Sequence, residues 1–66
     1  MCEASVYILA DGQEKLLLDS VDIVEPREGG KLYIQNLVGE QTTITARIKR
    51  IRLLEHKIII EKTDEG

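Results

Sequence analysis

Two side chains of this 66-residue chain stand out as candidate soft ligands: its one cysteine, Cys2, and its one histidine, His56. Cys2 follows Met1 directly, so its thiol lies a few bonds from the terminal amine. Sulfur and nitrogen so placed can close a small chelate ring on a soft or borderline metal ion. If Met1 is removed, amine and thiolate both belong to Cys2. If Met1 stays, its amine and the Cys2 amide nitrogen can join the sulfur. An amine titrating near ~8 and a thiol near ~8.5 must both lose protons, so binding should strengthen as pH rises through neutrality.

Mixed nitrogen and sulfur ligands suit Ni(II), Cu and Zn; a square plane favours Ni(II) or Cu(II), a tetrahedron Zn(II). One chain supplies too few ligands for a closed site. Two chains about a twofold axis would supply two thiolates and two nitrogens, with one ion per homodimer. The plainer reading makes Cys2 an ordinary terminal residue without a ligand.

His56 sits between Glu55 and Lys57 at an expected hairpin tip. It is a second candidate ligand, though a solvated turn histidine needs no further explanation. A Cys2–His56 nucleophile pair would require a third orienting group, and none stands out. Glu28-Gly29-Gly30-Lys31 lacks phosphate-loop spacing, and so small a domain has little room for a pocket. No catalytic residue is assigned, and the chain is not expected to be an enzyme.

Arg47, Lys49, Arg50 and Arg52 form a basic stretch that could follow a phosphate backbone. It lacks aromatic stacking platforms, and the formal net charge of −3 opposes non-specific attraction to nucleic acid. A solvated face partly neutralised by Glu40, Glu55 and Glu61 accounts for it more simply. An RNA- or protein-binding module using this face is the alternative function.

These residues must be positioned by short strands. Apolar residues make up 42% of the chain, ample for a globular domain. Residues 5–9 are rich in β-branched and aromatic side chains, and Asp11-Gly12 is a hairpin signal. A second strand is expected over 15–19. Val21-Asp22-Ile23-Val24 either extends it past a kink near Ser20 or forms a separate strand, with Pro26 ending the run. Gly29-Gly30 and Gly39 mark turns around a strand over 31–37. Residues 42–54 read as strand with a local irregularity, 57–62 close the fold, and 63–66 should fray.

Residues 1–66 therefore form one all-β domain, a small barrel or sandwich of five to six short strands. Inward positions are expected at Ala4, Val6, Ile8, Leu16, Leu18, Val21, Ile23, Leu32, Ile34, Ile44, Ala46, Ile48, Ile51, Leu53, Ile58 and Ile60. Tyr7, Leu9, Leu17, Leu37 and Ile59 would then point outward. That is more apolar surface than one small core can bury. A homodimer follows, with Tyr7, Leu9 and Ile59 as contacts alongside Cys2. No apolar run reaches the roughly 20 residues that span a bilayer. The start lacks the basic and apolar regions of a signal peptide. A cytoplasmic location is expected, where a lone thiol stays reduced.

Met1-Cys2 at the amino terminus, the β-rich segment over 4–9, the Asp11-Gly12 turn and the total length resemble the CooT family of small nickel-binding proteins. The resemblance implies an SH3-like barrel, a homodimer, and one Ni(II) held at the interface by the paired Cys2 residues with the neighbouring amine or amide. It also implies a metallochaperone role toward a nickel enzyme such as carbon monoxide dehydrogenase. No family ligand falls on His56, and the chain lacks the histidine-rich tract that would mark nickel storage.

Overall fold

The computed structural model describes residues 3–63. Met1, Cys2 and residues 64–66 lie outside that range, and with them the expected thiol site and most of the expected frayed end. Five strands close into one barrel in the order β1-β2-β3-β4-β5. They are β1 (Ala4–Ala10), β2 (Gln13–Arg27), β3 (Lys31–Asn36), β4 (Gln41–Arg52) and β5 (Lys57–Lys62). Neighbours in the sequence pair antiparallel. A parallel pairing of β1 with β5 closes the circle and removes the sheet edges. The all-β barrel is as expected, in an arrangement compatible with an SH3-like fold.

Two long strands each serve two partners. β2 is one strand of 15 residues. Its first part pairs with β1 and its second with β3. The change falls at Ser20, whose φ of 51° lies in the left-handed region. The kink is where the sequence placed it, and the segments on either side are continuous. Pro26 does not end the strand: it pairs with Leu32, one residue before β2 stops at Arg27. The β1 pairing has ended by then, so the missing N–H disturbs no second ladder. β4, with 12 residues, likewise passes from β3 to β5 at Thr45 and Ala46. After Arg52 the chain makes a 3-10 turn (Leu53–Glu55) that had not been expected.

Val6, Leu32, Ile34, Ala46 and Ile60 form the core, with Ile8, Leu17, Leu18, Val21, Val24, Ile44 and Ile58 packed around it. Several inward positions need correction, and those on β2 trace to local slips in register. A bulge between Val6 and Tyr7 pairs Val6 with Leu18 and Tyr7 with Leu16. Leu17 thereby joins the core while Leu16 is exposed. A second irregularity between Val21 and Ile23 turns Val24 inward and leaves Ile23 outside. A one-residue slip moves side chains to the opposite face. Ile48, Ile51 and Leu53 are also exposed. Ile48 and Ile51 lie where β4 pairs with β5, past the end of the β3 ladder, and Leu53 lies beyond β4 in the 3-10 turn. Ile59 was expected outside but is 2% exposed. Its backbone partners are Tyr7 on β1 and Arg50 on β4.

Candidate metal-carrying end of the barrel

The described chain begins at a well-anchored place. The Ser5 amide donates to the His56 carbonyl at 2.8 Å, and Ala4 pairs with Val21. The Ser20 hydroxyl donates to Glu3 Oε1 at 3.2 Å. Glu3, the neighbour of Cys2, is thus tied to the β2 kink, and Ala4 lies beside the turn that carries His56.

That turn is apolar and exposed. Leu53 and Leu54 are 79% and 96% exposed, and Ile51 precedes them on β4. The 3-10 geometry is closed by the His56 amide donating to the Leu53 carbonyl at 3.2 Å, with His56 itself left-handed at φ 55°. Next to the turn is a cleft of about 300 Å³, lined by Ala4, Ile51, Leu53, Ile58 and the stems of Arg52 and Lys57, with His56 at its rim. A protruding leucine pair therefore stands beside an apolar hollow.

Among the described residues no cluster of three or more His, Cys, Asp or Glu side chains could hold a metal ion. His56 caps a turn and lines the cleft without joining any such cluster. Cys2 and Met1, the expected donors, lie outside the described residues.

The expected interface residues are not equivalent. Tyr7 and Leu9 are half-buried on the outer face of β1, while Ile59 is enclosed within its own chain. Lys57 ties this face together. Its ammonium lies 4.7 Å from the Tyr7 ring centroid and 3.0 Å from Glu14 Oε1. The hydrogen bond to Glu14 is the main influence raising the Lys57 pKa above the ordinary 10.5, with Glu14, Glu55 and Tyr7 adding electrostatic support against some desolvation.

The basic stretch is partly neutralised. Arg47 pairs with Glu61 at 3.0 Å and Arg52 with Glu55 at 3.0 Å. Glu40, the third expected partner, instead binds the side chain of Asn36. Lys49 and Arg50 enter no ion pair among the described residues. A second, open cleft of about 620 Å³ lies where β4 changes partners, between the Gly29-Gly30 turn, Lys31 and Arg47. Sequence reasoning did not find it, because it arises from the strand switch.

A closed five-stranded barrel with one apolar end places the chain in the class of small all-β barrel domains. Residues 1–61 match the family model described as CO dehydrogenase accessory protein CooT. A crystal structure assigned as CooT from Carboxydothermus hydrogenoformans is 41% identical, with a TM-score of 0.85 over 96% of this chain and 100% of that one. No curated protein matches. The chain belongs to the CooT family and is an accessory protein to CO dehydrogenase, not an enzyme. Among the described residues no helix is long and apolar enough to cross a membrane.

Proposed function

We propose that this chain carries Ni(II) to its client enzyme, CO dehydrogenase, as the cargo of a homodimer in which two Cys2 thiolates and the adjacent amines or amides grip one ion. The observation that carries this reading is membership of an accessory family whose match includes Met1-Cys2. The chemistry fits a carrier: a thiolate beside an amine or amide nitrogen supplies the mixed donors that suit Ni(II).

The two copies meet through the end where Glu3 and Ala4 lie. Tyr7 and Leu9 retain partial outward surface along β1, but Ile59 has little left to offer. The protruding Leu54 and the Ala4-lined cleft are suited to each other across a twofold axis, since an isologous contact needs a self-complementary patch. This placement also brings the two chain starts into one region, as a shared ion requires.

Absorption spectroscopy with native mass spectrometry tests the proposal. Added Ni(II) should give a thiolate-to-nickel charge-transfer band and one ion per two chains, and Cys2→Ser should abolish both. A band of undiminished intensity in Cys2→Ser would refute the assignment of the thiol.

A further inference from the structure

The fold brings the one histidine to the start of the chain. β1 and β5 run parallel, with Ser5 opposite Lys57. Parallel neighbours have their first residues at the same end, so His56, just before β5, stands beside the residues that open β1. The Ser5 amide donates to the His56 carbonyl at 2.8 Å and fixes that placement. Ala4 and His56 line one cleft. Cys2 precedes Ala4 by two residues, and two residues extend at most about 7 Å. A thiol and an imidazole from opposite ends of the sequence are thus within covalent reach of one another.

The imidazole is uncommitted. The backbone N–H and carbonyl of His56 are both used, by Leu53 and Ser5. Its ring enters no side-chain hydrogen bond or ion pair among the described residues. The cations of the cleft are answered: Arg52 pairs with Glu55 and Lys57 with Glu14, each at 3.0 Å. A divalent ion arriving here therefore meets no unpaired cation of the cleft lining. Imidazole suits nickel, and tetragonal nickel sets accept nitrogen donors beyond a square plane.

We infer that His56 supplies a nitrogen ligand to the Ni(II) carried at the chain start, alongside Cys2. This inference rests on the carrier reading above and adds to it a donor from the far end of the sequence. An ion so held is tethered to the barrel itself, through the turn before β5, as well as to the chain's end.

The test uses untagged full-length protein loaded with Ni(II), in which every imidazole signal belongs to His56. Nickel-edge X-ray absorption of the wild type should show the multiple-scattering pattern of a coordinated imidazole ring, and His56→Asn should lose it. A histidine that is merely solvated gives no such pattern. Asn accepts the left-handed turn position, so circular dichroism and homodimer mass should match wild type. The variant should keep the thiolate charge-transfer band and bind Ni(II) about tenfold more weakly. The inference is overturned if the loaded wild type lacks the imidazole pattern, or if His56→Asn binds Ni(II) as tightly as wild type. Should the variant misfold, the wild-type spectrum decides alone. A wild-type thiolate band without imidazole scattering strikes this inference and leaves the carrier reading standing. Absence of the thiolate band from the wild type strikes both, so the two failures are told apart.

Discussion

Lys57 shows how one side chain can tie three strands together. It starts β5, reaches Glu14 on β2, and lies over Tyr7 of β1. Its pKa is raised first by the hydrogen bond to Glu14. A lysine whose folded value exceeds its unfolded value contributes stability that is fully present below the unfolded value. That contribution is lost as pH rises through the folded value. The contact therefore acts throughout the neutral range and fades only in strong alkali. Glu14→Gln should bring the Lys57 titration back toward the ordinary 10.5, read from its side-chain NMR shifts. A midpoint unmoved by the substitution would remove Glu14 as the cause.

Strands β4 and β5 show why neighbouring isoleucines carry unequal weight. Ile48 and Ile60 are paired across the ladder, yet Ile60 is fully buried and Ile48 substantially exposed. Ile60→Ala should cost about 2–5 kcal/mol in denaturant unfolding, a large part of a small domain's stability. Ile48→Ala should cost less than about 1.5 kcal/mol, because partial exposure shrinks both the transfer and the cavity contributions. Equal losses would contradict the inside–outside assignment of this ladder. The same strands mark how far the sequence could be read. Alternation and turn residues located the strands, the Ser20 kink and the position of His56 in a turn. They could not locate the bulges after Val6 and Val21, because a bulge leaves composition unchanged while reversing faces. The burial of Ile59 was hidden for a related reason: its strand lies between β4 and β1, and β1 becomes its neighbour only when the barrel closes. The Leu53–Glu55 turn and its cleft were not legible. Ile51-Arg52-Leu53 alternates like strand, and the leucines become a protrusion where the ladder ends.

A barrel of this size has a core of a few residues, and exposed aliphatic surface at Leu53 and Leu54 is a liability that a second copy would cover. Pairing through that end would bury apolar area in both chains at once. Folding and association would then share their free energy, so thermal stability should rise with protein concentration. Leu54→Asp tests this cleanly, because the side chain is 96% exposed in the single chain and contributes nothing to its core. Introducing a carboxylate into an apolar contact incurs desolvation without a partner, and across a twofold axis the cost is incurred twice. The variant should sediment as a monomer at concentrations where the wild type is dimeric. Its melting temperature should lose the concentration dependence, and its nickel uptake should fall well below one ion per two chains while Cys2 remains intact. A dimeric Leu54→Asp protein with full nickel uptake would move the contact elsewhere, toward the Tyr7 and Leu9 face. A monomer that still bound nickel at full stoichiometry would break the link between association and the metal site altogether.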